Sequence, residues 1–81
     1  MIHRLKIDQV YLDNLISGDK KCDVRINDKD YQKGDILEFK EYKSNGKVFT
    51  YHFRITHIHY YIGLSFNHVA LSLESKKIMD W

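Results

Sequence analysis

Lys20, Lys21, Asp23, Arg25 and Asn27 crowd one short run just after a glycine, Gly18. Residues two apart on a strand lie about 6.5–6.8 Å apart on one face, so Lys21, Asp23, Arg25 and Asn27 would form a single stripe. Lys20 points the other way unless the corner after Gly18 rotates it into the same place. A carboxylate between cations is favoured in its charged form, and it would orient the Lys and Arg heads while leaving some donors free. A guanidinium presents a planar fork suited to phosphate, and an ammonium presents a compact charge. Asn27 adds a hydrogen-bonding group for a sugar or a base edge. Such a set suits a nucleotide or a single strand of RNA, which is held by stacking plus edge hydrogen bonds. Tyr31, Tyr42, Tyr60 and Tyr61 are the candidate stacking surfaces. The plain alternative is a solvated strand face of paired charges.

Other reactive side chains carry weaker signals. His57 and His59 have the spacing that puts two imidazoles on one strand face, with His52 opposite if the strand is regular. A catalytic zinc needs a third ligand and an open position, and none is nominated, so no metal or other cofactor is implied. Cys22 belongs to an apolar alternation with Val24 and Ile26 and reads as a packed thiol. Glu74 sits opposite Leu71 and Leu73 at the end of a strand pattern, where it is either a surface charge or a second carboxylate for acid–base work.

The elements that must position these groups are short. Asp8 can cap a helix running to Ser17, with Ile7, Val10, Tyr11 and Leu15 on one face, and Gly18 suits the left-handed position that ends it. "HRLKI" is a possible strand before the helix. Cys22, Val24 and Ile26 alternate with Lys21, Asp23 and Arg25, which predicts a half-buried strand with its charges outward. Gly34-Asp35 closes a turn, and "ILEFKEY" then alternates with Leu37 and Phe39 inward. "SNG" at 44–46 is a hairpin signal of the two-residue kind. Phe49, Tyr51, Phe53 and Ile55 share a face of the long strand that follows, as do Val69, Leu71 and Leu73 in the last. One helix with four or five strands in 81 residues predicts a single α+β, mostly β domain over 1–81. Its expected form is a small mixed or antiparallel β-barrel of about five strands, closed and thereby free of exposed edges, with the N-terminal helix over one open end.

Composition limits the function classes. Thirteen basic and 11 acidic side chains give a net charge of +2, far from an arginine-rich polyanion binder, so an anion site must come from local arrangement. A single cysteine excludes an internal disulfide, which favours a reducing, cytoplasmic setting. No apolar run approaches the ~20 residues that span a bilayer, so no membrane partner is expected. The aromatic content of 14% helps so small a chain to build a core.

"LISGDKKCDVRINDKDYQKGD" followed by "LEFKEY" resembles the ASCH domain family of the PUA-like superfold. The pattern is a helix ending in Gly, then Lys two positions on, an acidic or hydroxyl residue three later and Arg two beyond. Gly18, Lys20, Asp23 and Arg25 match it, and Gly34-Asp35 supplies the downstream Gly-Asp. The "RINDKDYQKGD" form looks like a compact bacterial branch. The resemblance implies a PUA-like barrel and binding of RNA or a modified nucleotide. Some small relatives are amidohydrolases acting on acetylated cytidine, and others have been credited with ribonuclease activity. The amidohydrolases carry a threonine, proposed as nucleophile, where this chain has Asp23. A carboxylate is a poor substitute for an activated hydroxyl.

Three readings therefore stand. The leading one is a binding module for RNA or a nucleotide, with Lys20, Lys21 and Arg25 on phosphate, Asp23 orienting them and Asn27 reading polar groups. The second is a small hydrolase of a modified nucleoside or of RNA. It would use Lys20 as the polarising group, Asp23 to orient water and Glu74 for acid–base work. The third is a protein-interaction domain without a nucleotide ligand.

Overall fold

Strand β1 (Ile2–Arg4) leads into helix α1 (Gln9–Ser17), and β2 (Cys22–Ile26), β3 (Ile36–Tyr42), β4 (Val48–Tyr60) and β5 (His68–Ser75) follow. This is a computed structural model, and it describes residues 1–60 and 67–75. The strands form one sheet in the order β1-β3-β4-β5-β2, with β1 parallel to β3 and the other pairs antiparallel. The chain is thus α+β and mostly strand, as expected, but the expected barrel is not closed. β1 and β2 are the two edges and do not pair with each other. β1 is only three residues long against seven in β3, and after Leu5 bonds the Glu38 carbonyl the backbone leaves the sheet for the helix. The gap between the edges is a seam beside α1 rather than a ladder.

The helix buries Leu12 and Leu15 in the same core cluster as Phe39, Phe53, Ile55 and Leu71. Val10 and Tyr11, expected on that face, are 66% and 49% exposed. Leu12 and Leu15 define the buried stripe, and Tyr11, about 100° round from Leu12, lies on the outer flank of Leu15 at the edge of that stripe. Asp8 occupies the N-cap position, but its side chain makes no capping bond. Gly18 ends the helix in the left-handed region (φ 87) with open space around it. Gly18→Ala is therefore expected to cost about 1 kcal/mol through backbone strain alone, readable as a small fall in the urea midpoint.

Leu37 and Phe39 of β3, Phe53 and Ile55 of β4, and Val69, Leu71 and Leu73 of β5 form the core, as the alternation implies. The phase of β2 is the reverse of the expected one. Asp23 pairs with Leu71 and Arg25 with Val69, and residues directly opposite share a face, so both charged side chains turn inward. Cys22, Val24 and Ile26 are exposed instead, which removes the packed-thiol reading of Cys22.

β4 is 13 residues long and changes register between Ile55 and His57, which pair with Leu73 and Ser72. Thr56 is the extra residue of a β-bulge, and its hydroxyl donates to the Ser72 carbonyl at 3.2 Å. Beyond the bulge Ile58 packs on the core while His57 and His59 stay exposed, on the His52 side and not opposite it. The "SNG" loop is also longer than a two-residue turn. Lys43 N–H bonds Lys47 O, Gly46 N–H bonds Lys43 O and Gly46 takes positive φ, a three-residue loop of the bulged type.

Candidate functional site

The seam holds three of the expected residues, Lys20, Asp23 and Arg25. A cleft of about 540 Å³ opens between the β1–α1 connector, α1 and the free edge of β2. Lys20, Asp23 and Arg25 all line it, joined by Lys6, Asp8 and Tyr11. The corner after Gly18, where Lys20 N–H bonds the Asn14 carbonyl at 3.0 Å, rotates Lys20 towards the helix. Its ammonium lies 4.5 Å from the centre of the Tyr11 ring, a cation–π contact.

Arg25 is held more tightly than a free phosphate ligand would be. Its Nε donates to Asp23 Oδ2 at 2.6 Å, one Nη donates to the Lys6 carbonyl at 3.3 Å, and its head lies 5.9 Å from the Phe39 ring centre. It thereby ties edge strand β2 to the segment leaving the other edge, β1. Asp23 is buried and acts as the anchor of this latch. Tyr31, expected to stack on a ligand, is only 2% exposed and belongs to the core. Its hydroxyl has no hydrogen-bond partner among the described residues. Burial pushes its pKa up; Arg25 beside it acts against that rise, without meeting the geometry of a hydrogen bond.

Other expected members lie apart. Lys21 and Glu74 line a neighbouring hollow of about 270 Å³, which shares only Lys20 with the cleft. Glu74 stands 3.6 Å from Arg54 and is half exposed. Asn27 is exposed and lines neither the cleft nor that neighbouring hollow; its backbone N–H bonds the Asn67 carbonyl. Tyr42 is 72% exposed, Tyr60 is exposed on the far part of β4, and Tyr61 lies outside the described residues. His57 and His59 meet edge to face, 4.3 Å between ring centres, and no group of three or more metal-ligating side chains occurs among the described residues. His52 bonds its cross-strand neighbour Glu38 at 3.0 Å. That bond, outweighing burial, holds the Glu38 carboxyl below its usual range.

Residue types alone did not single out Lys6, Asp8 and Tyr11. Lys6 and Asp8 flank a connector whose place beside β2 depends on long-range pairing, and Tyr11 reads as core on a helical wheel.

Residues 2–73 match the family described as a domain of unknown function, DUF3850. The chain belongs to the DUF3850 family. No curated protein compared with it matches. The span shared with DUF3850 takes in the helix, the corner and every residue lining the cleft. The candidate site of this DUF3850 chain is therefore part of the family's own domain rather than an appendage. Among its described residues no helix is long and apolar enough to cross a membrane.

Proposed function

We propose that this domain is an RNA- or nucleotide-binding module of the ASCH, PUA-like kind, working in the cytoplasm, with the seam cleft as its ligand site. The observation that carries the reading is that Lys20, Asp23 and Arg25 line one concave cleft instead of spreading over a convex face. Three cations face two carboxylates there, which leaves the cleft electropositive in a chain of mild overall charge. The roles divide differently from the simple stripe. Lys20 and Lys6, with no ion-pair partner among the described residues, are the groups available to phosphate. Asp23 and Arg25 form the wall that keeps the cleft open at its width. Binding is favoured over hydrolysis because one Asp23 oxygen is already taken by Arg25 and Glu74 opens onto a different hollow.

Anisotropy of labelled single-stranded RNA at low salt tests this. Lys20→Ala is expected to weaken binding about tenfold, the size of one charge-assisted contact, with an unchanged circular dichroism spectrum. Affinity should also fall steadily as salt is added. Equal, salt-insensitive binding by wild type and Lys20→Ala would remove the cleft from consideration. Turnover of acetylated cytidine that disappears in the same variant would favour the hydrolase instead.

A further inference from the structure

The cleft does not end at its own walls. On the connector side it adjoins a second hollow, of about 520 Å³, with Lys6 and Ile7 lining both. On the corner side it adjoins the third hollow, of about 270 Å³, at Lys20. Each junction thus carries an ammonium, and each of the two larger hollows carries an exposed tyrosine: Tyr42 in the second, Tyr11 in the cleft. Further ammonium groups with no ion-pair partner among the described residues stand at the two ends: Lys40 in the second hollow, which Glu38 also lines, and Lys21 in the third, which Glu74 also lines. The third hollow has an apolar floor that includes Leu15, Phe53 and Leu73.

From this succession of charge and hollow we infer that the ligand is an extended single-stranded polynucleotide spanning several hollows, and not a lone nucleotide in the cleft. The inference rests on the nucleotide-binding reading above and adds its substrate class. Phosphates would seat on the junction lysines Lys6 and Lys20, one base would drop into the cleft between them, against Tyr11, and the next into the second hollow beyond Lys6, against Tyr42. Stacking on an aromatic ring is tolerant of base identity, because every base has a π face. A double helix is excluded on shape: its bases are not available to enter separate hollows.

Titration calorimetry or anisotropy with uridine monophosphate, oligouridylates and oligothymidylates of three and six nucleotides, and a hexaglutamate peptide tests the inference. The trinucleotide is expected to bind at least about tenfold more tightly than the monophosphate, with a log–log salt slope near −1.5 to −2 for two to three phosphates. Lys40→Ala should weaken trinucleotide binding several-fold and leave monophosphate binding unchanged. Lys33→Ala, which removes the same charge away from all three hollows, should change neither. Equal affinity for one and three nucleotides would overturn the extended track while leaving a mononucleotide site standing. Absence of binding by every nucleotide would remove both readings. Hexaglutamate binding as tightly as the hexanucleotide would mean that charge alone is recognised and would assign the surface to an acidic peptide. A loss in Lys33→Ala equal to that in Lys40→Ala would likewise overturn the track. Tighter binding of the ribo than the deoxy series would mark contacts to the 2′-hydroxyl; equal binding supports a track that reads phosphate and base alone.

Discussion

Asp23→Ala is expected to destabilise the fold by about 3 kcal/mol, measured as the change in unfolding free energy in urea at pH 7. The cause is the cation left behind. Arg25 would keep its place over Phe39 and beside the buried Tyr31 hydroxyl, but without the carboxylate that faces it at 2.6 Å. The value sits at the low end for a broken buried pair because the Arg25 side chain retains 21% exposure, and some water reaches it. Arg25→Ala should cost at least as much, since the Asp23 carboxylate it abandons is the more buried member, at 7%. The double variant Asp23→Leu with Arg25→Met is expected to be less destabilised than either single change. Apolar side chains of that size extend the core formed by Leu71 and Val69 across the sheet, and no charge remains to be solvated. Costs that simply add in the double variant would show that the two side chains do not act as a latch.

Asp35→Ala should lower stability by a similar amount, about 2–3 kcal/mol, and should also flatten its dependence on pH. Asp35 is buried immediately before β3, where one oxygen meets His3 Nε2 at 2.8 Å and the Gln32 N–H at 3.1 Å. Its other oxygen lies 3.2 Å from the Met1 amino group. Burial by itself would raise the carboxyl pKa, but the bonds from His3 and Gln32 and the nearby ammonium outweigh it and the net shift is downward. A group whose folded pKa lies below its unfolded value stabilises the fold above the unfolded pKa, near 4 for Asp. That contribution is lost as pH falls through the lower, folded value. The urea midpoint of the wild type should therefore drop as pH is lowered from about 5 towards 3, with Glu38 adding to the same slope. Asp35→Asn cannot ionise, so its midpoint should be lower at neutral pH and fall less steeply in acid. Parallel curves for Asp35→Asn and wild type would exclude Asp35 as a source of the acid sensitivity.

Element type was legible in the residues almost throughout, because alternation and helical spacing are local. Facing was legible only where one side of a strand is large and apolar. Leu37 and Phe39 left β3 a single choice, and Val69, Leu71 and Leu73 did the same for β5. β2 offered Cys22, Val24 and Ile26, which the edge strand leaves exposed, against an Asp and an Arg that neutralise each other. Pairing with β5 decided between the two faces, and that pairing joins residues nearly fifty positions apart. Gly18 and the corner that follows it offered the rotation of Lys20 as a condition, but the inward turn of Asp23 and Arg25 that meets it was not readable in β2. Nor was the open seam, since it follows from β1 stopping after three residues. Tyr31 and Tyr11 exchanged expected places: Tyr31 joins the core with its ring edge to face on His3, while Tyr11 is half exposed beside the Lys20 ammonium.

Thr56 touches none of the three hollows, yet the bulge it makes bears on the two that β2 and β5 help to wall, the cleft and the third hollow. A bulge bends its strand and deepens the local twist, and everything downstream of this one, β5 with β2 on its far side, is carried along. Deleting Thr56 would restore an unbroken alternation with Ile55 and Ile58 still inward, so the core would keep its membership. The aperture would change while its lining did not: one residue on a remote strand gauges how far apart the walls stand.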